Sequence, residues 1–218
     1  MNFFLNNFSV IFLAIWCLFA LVVIIRFFWP NLVRNISYLW LVVIAFIVHL
    51  LYGSILTLLQ YFVWDSAEFT KIFLVVPVAS GVPFLELLEW ARPFFSGNHG
   101  YFALYSIQHF FMSTFVLFFI VGLFTIFFKV YKHYRQDVFI KGDIAVIALS
   151  FLIAGYYGAI ILVPIALSIA VISAILNLKF EYINPISLPA SFLIASPIGL
   201  LFAIPILKYF ELYAILKI

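Results

Sequence analysis

Between Ile144 and Leu178 the chain carries no charged residue, in a run bounded by Asp143 and Lys179. As one straight helix this run would extend roughly 50 Å at 1.5 Å per residue. The hydrocarbon core of a bilayer is only about 30 Å thick. The run is therefore too apolar for water and too long for a single crossing. "GYYG" at 155–158 is a natural turn, so the sequence predicts a short helix and then a second one ending near Leu176.

The rest of the chain has the same character. Apolar residues make up 68% of it, charged residues 9%, and phenylalanine alone occurs 29 times. Soluble domains run at about 45–50% apolar and about 25% charged. So few charges cannot cover that much apolar side chain in water, and the solvent this sequence calls for is lipid. The N-terminal "MNFFLNNFSV" has no basic stretch and no small-residue cleavage site follows it, so it reads as the start of a first span in a mature protein. The single cysteine, Cys17, lies inside that span, which rules out a disulfide framework or a CxxC metal knuckle. The net charge of +3 includes no basic patch with interleaved aromatics, so nucleic acid is not an expected partner. The lipid bilayer is.

A crossing needs about 20 predominantly apolar residues. Phe8–Ile25 is the first candidate, and Ile36–Trp64 the second. The third, roughly Phe69–Leu88, holds Pro77, Gly81 and Pro83, so irregular backbone is expected there. Tyr101–Phe128 is the fourth, and the last runs from about Leu188 to Leu207. With Ile144–Leu178 divided in two, the expectation is an all-α polytopic transmembrane bundle of seven spans, or six if the third is re-entrant. The whole chain, 1–218, reads as a single integral membrane domain. Lys129, Lys132, Arg135 and Lys141 form the densest basic group and mark the expected cytoplasmic side, with Arg34 and Arg92 outside. On that topology Asp65, closing the second span, and Asp143, opening the fifth, reach the same face.

The eight acids are Asp65, Glu68, Glu86, Glu89, Asp137, Asp143, Glu181 and Glu211. Asp137, Glu181 and Glu211 sit in or beside expected loops and read as solvated. Glu86 and Glu89 share a helix face, as an interfacial polar end or as part of a polar cavity. Asp65 can be an interfacial turn residue alongside Ser66 and Glu68, and Asp143 likewise has a plain reading. Aspartate is a favoured residue at helix starts, where it complements the dipole. Alternatively, Asp143 and Asp65 form a catalytic pair, since two carboxylates within a few ångströms share one proton. One then takes a proton from water while the other donates to the scissile carbonyl. That is peptide hydrolysis with no metal or organic cofactor.

Three stretches resemble a known family. "YFVWDSAEFTKIF" places an aspartate after an aromatic at a span end, "FIKGDIAVIALSFLIAGYYG" contains a Gly-Asp and a short helix, and "NPISLPASFLIASPIGLLFA" is a proline-rich entry to the last helix. Together, from about Leu59 to the C-terminus, they resemble the peptidase core of type IV prepilin peptidases, which are GxGD intramembrane aspartyl proteases. In the wider topological sense the peptidase-like core would cover about 36–218, with 8–28 as an extra N-terminal span. The resemblance implies Asp65 and Asp143 as catalytic residues with Gly142 in support, and Gly155 as the glycine that ends the family's short helix. It implies an endopeptidase of a prokaryotic cytoplasmic membrane that cleaves a pilin-like precursor at its basic leader. Ile140 stands where the motif's first glycine falls, Ala145 replaces the usual lysine, and the proline after the first aspartate is missing. N-methylation is not implied, because the paired CxxC motifs are absent.

Two alternatives of another class remain open. One is a small transporter or channel subunit, in which the intramembrane His49 and His109 and the proline breaks serve passage. The other is a catalytically inactive membrane scaffold. Neither histidine has a metal-ligand partner three or four residues away, Gln108–His109 reads as an interhelical hydrogen-bonding pair, and "FSGNHG" at 95–100 reads as a Gly/Asn turn.

Overall fold

A computed structural model describes residues 2–33, 35–78, 86–135, 139–140, 142–179 and 186–216, with backbone only at 2–6 and 86–88. Arg34, Gly81, Pro83, Asp137, Lys141 and Glu181, and the side chain of Glu86, lie outside what is described. The described chain is helical, with no strand. The long helices are α1 (Asn2–Phe28), α2 (Tyr38–Asp65), α5 (Met112–Tyr134), α6 (Asp143–Lys179) and α7 (Leu188–Tyr209). The short ones are α3 (Glu68–Val75), α4 (Gly100–Ser106) and α8 (Tyr213–Leu216), and a 3-10 segment covers Glu86–Phe95. A single π-type turn, Ile107–Phe111, joins α4 to α5.

Five helical stretches among the described residues are long and apolar enough to cross a membrane: Asn7–Phe28, Tyr38–Asp65, Gly100–Tyr134, Asp143–Lys179 and Leu188–Tyr209. Among the described residues the expected count of six or seven is not confirmed. Two places account for the difference. Where a third span was expected, α3 stops at Val75, because Val76 precedes Pro77 and must be extended (φ −74°, ψ 136°). In the 144–178 run the expected break is present, but only at Gly155 (φ 70°, ψ −178°), and helix resumes at once. The leading piece, Asp143–Ala154, is roughly 18 Å long and too short to cross alone.

The chain divides into two compact units, residues 1–48 with 115–217, and residues 49–114. In the first unit Val146–Ala154 is buried at every position. A helix that is apolar all round belongs inside a bundle, and this one is surrounded by Trp16 and Val23 of α1, Leu41 and Ala45 of α2, Leu117 and Val121 of α5, and Phe192 and Leu193 of α7. The second half of α6 turns Leu167, Val171, Ile172 and Ile175 outward, as a lipid-facing surface would.

Between α6 and α7 the packing relies on small residues. Ala154, Gly158 and Ala159 on α6 and Ala195, Gly199 and Ala203 on α7 are buried. Small residues let helix backbones approach closely, the main route to helix association where lipid is as apolar as leucine. Two buried hydroxyls are satisfied within their own helices: Ser150 Oγ donates to the Val146 carbonyl (2.9 Å) and Ser196 Oγ to that of Leu193 (2.9 Å).

The second unit is organised by aromatic rings. Trp64 packs on Phe73, Tyr101, Phe102 and Tyr105, with centroids 4.8–6.3 Å apart. Residues 97–100 form the expected turn, closed by the Gly100 N–H donating to the Gly97 carbonyl (3.1 Å).

Candidate functional site

The start of α6 is built from the linker upward. Phe139 is buried and meets Phe128 and Tyr131 edge-on, at 5.6 and 6.1 Å. That anchor fixes the chain just before Ile140. Gly142 then takes φ 106°, a conformation open to glycine and strained for other residues. The ring of Tyr38 lies against it: a Cβ on Gly142 would sit 3.1 Å from Tyr38 Cδ2. Position 142 requires glycine on both counts.

Asp143 follows in the first turn of α6. Its Oδ2 accepts the Ile140 N–H at 2.8 Å, while Lys132 Nζ donates to the Ile140 carbonyl at 3.3 Å. Reaching back three residues to a free N–H is what the acid of a capping box does. The carboxylate also lies at the positive end of the helix dipole. Tyr38 in turn is covered by Arg26, whose guanidinium carbon is 5.4 Å from the ring centroid. Arg26 donates to the Pro30 and Ile36 carbonyls (both 3.0 Å) and closes the α1–α2 turn. Among the described residues, the cations Lys132 and, beyond Tyr38, Arg26 lie on the Asp143 side of this unit.

Asp65 belongs to the other unit and has its own partner, Lys71 Nζ at 3.2 Å, both groups being well exposed. It is the last residue of α2, and Tyr38, the residue that packs on Gly142, is the first. Within the first unit the structure brings Gly142, Asp143, Ile140, Lys132 and Tyr38 together.

The other candidates have local explanations. Glu89 pairs with Arg92 in the 3-10 segment, accepting from its guanidinium through both carboxylate oxygens. His109 does not reach across to another helix. Its Nδ1 donates to the Tyr105 carbonyl of its own helix (3.0 Å), and its ring stacks on Tyr105 at 4.0 Å. His49 is buried. Among the described residues no group of three His, Cys, Asp or Glu is placed to hold a metal ion.

Tyr38, Lys132 and Phe139 were not singled out as site residues from the sequence. The available signals were an aromatic near the start of the second expected span and a lysine eight residues ahead of Ile140 across the basic linker. Comparison with protein-family models, curated proteins and solved structures finds no match.

Proposed function

We propose that the chain is a catalytically inactive membrane scaffold, built on a framework like that of the prepilin peptidases but without their reaction. One observation carries this reading. The Asp143 carboxylate is bonded to the Ile140 N–H at a helix start where, among the described residues, the nearby charged groups are cations such as Lys132 and Arg26. A proton-sharing pair needs a second carboxylate within a few ångströms. Asp65, the acid the resemblance would supply, is paired with Lys71 in its own unit.

A second reading is an intramembrane aspartic endopeptidase that cleaves the basic leader of a pilin-like precursor at the cytoplasmic face of a prokaryotic membrane. Its support is the backbone at two motif positions. Gly142 and Gly155, where the family has glycine before the aspartate and at the end of the short helix, both have positive φ. A six- or seven-span arrangement with Asp65 and Asp143 on one face belongs to this reading.

Co-expression of the chain with a pilin-like precursor, followed by mass measurement of the precursor, separates the two. The scaffold reading predicts an intact precursor with wild type and with Asp143→Asn alike. Leader removal by wild type that stops in both Asp65→Asn and Asp143→Asn overturns it in favour of the peptidase.

A further inference from the structure

A groove of about 500 Å³ runs along the first unit between α2, α5 and the start of α6. Its floor is apolar and made deep by small residues, Gly122 of α5 and Ala145 and Ala148 of α6. A Cβ on Gly122 would meet nothing within 4 Å, so there is open space at mid-helix. At one end the lining changes character, with Lys129 and Lys132 bordering the mouth. Among the described residues Lys132 donates to the Ile140 carbonyl, and an ammonium has three donors to give.

The dimensions limit the occupant. The α5 lining runs from Phe118 to Lys132, which is roughly 21 Å of helix. That length suits an extended chain such as a lipid tail lying in the groove. The lysines exclude a basic leader peptide by repulsion and favour a phosphate. Basic pockets between membrane helices are sites for anionic lipid headgroups.

We infer that this groove holds one anionic phospholipid, an acyl chain lying over Gly122 and Ala148 and the phosphate seated between Lys129 and Lys132. Ordinary annular lipid covers the convex apolar faces without regard to headgroup; this concave site selects by charge. The site uses neither Asp65 nor Asp143 as a ligand, so it stands whichever reading of the two aspartates is correct.

The test is lipid binding to the purified full-length protein in neutral detergent, read by native mass spectrometry with phosphatidylglycerol and phosphatidylcholine of identical acyl chains. Wild type is expected to retain one phosphatidylglycerol with about 30-fold preference, equivalent to ~2 kcal/mol at roughly 1 kcal/mol per lysine. Replacing both lysines (Lys129→Gln with Lys132→Gln) should reduce the preference to less than about 3-fold, while Lys129→Arg should keep it. Gly122→Trp should fill the groove and displace both lipids. If that variant does not fold, the lysine series decides alone. Equal binding of the two lipids by wild type, a preference that survives the double glutamine variant, retention of phosphatidylglycerol by folded Gly122→Trp, or displacement of the lipid by inorganic phosphate would each overturn the inference.

Discussion

Gly158 of α6 and Gly199 of α7 meet backbone to backbone: a Cβ on Gly158 would sit 3.0 Å from the carbonyl carbon and oxygen of Gly199. Main-chain atoms at such a crossing cannot move aside as a flexible side chain would. Gly158→Ala should therefore cost about 1–3 kcal/mol as an overpacked contact. Gly199→Ala should cost less, since its Cβ would meet the Ala154 methyl at 3.1 Å and the Gly158 carbonyl oxygen only at 3.4 Å. Thermal unfolding in detergent measures both, and equal stability of Gly158→Ala and wild type would show that the helices do not cross here.

Two glycines with open space around them should respond in opposite directions. Gly155 and Gly122 both have nothing within 4 Å of a built Cβ, but Gly155 has φ 70° and ψ −178°, a region open essentially to glycine alone. Gly155→Ala should destabilise by about 1–3 kcal/mol. Gly122→Ala lies in the interior of α5 with no strained φ and should stabilise by about 0.4–1 kcal/mol. The same unfolding measurement checks the contrast; a loss at both positions would mean that packing rather than backbone geometry governs them.

At Asp143 the side-chain oxygen matters more than its charge. Asparagine can still accept the Ile140 N–H and alanine cannot, so Asp143→Ala should lose about 0.5–2 kcal/mol and Asp143→Asn only a fraction of that. Comparable losses in the two variants would point to the charge, through Lys132 or the helix dipole, as the main contribution.

The Asp65–Lys71 pair is exposed on both sides, 46% and 63% of the side-chain surface. Pairs of this kind contribute about 0.2–1 kcal/mol and are screened by salt. Lys71→Gln should shift stability by no more than that, and the shift should disappear at high ionic strength. A larger, salt-insensitive loss would show that Lys71 supports more than this turn.

Features set by nearby residues were legible in the sequence. The helix start at Asp143, the break at Gly155 and the turn at 97–100 follow from local chemistry: an acid at a dipole, a glycine between apolar runs, a Gly/Asn cluster. The irregular backbone expected in the third stretch is present where Pro77 holds Val76 out of the helix. The surroundings of Asp143 could not be read at all. They depend on Tyr38, more than a hundred positions earlier, and on Lys132 beyond the linker, and nothing in local spacing announces contacts that tertiary packing creates. The π-type turn at 107–111 likewise carries no glycine or proline to mark it.

Thiol cross-linking tests most directly whether Asp143 has an acidic partner in Asp65. With Cys17→Ser as background, Asp65→Cys with Asp143→Cys and Tyr38→Cys with Asp143→Cys are treated in membranes with a short bifunctional thiol reagent. The account predicts an intramolecular link for the 38–143 pair and none for the 65–143 pair, with every thiol labelled by a monofunctional reagent. Efficient linking of positions 65 and 143 would contradict it and restore the two aspartates as a catalytic pair.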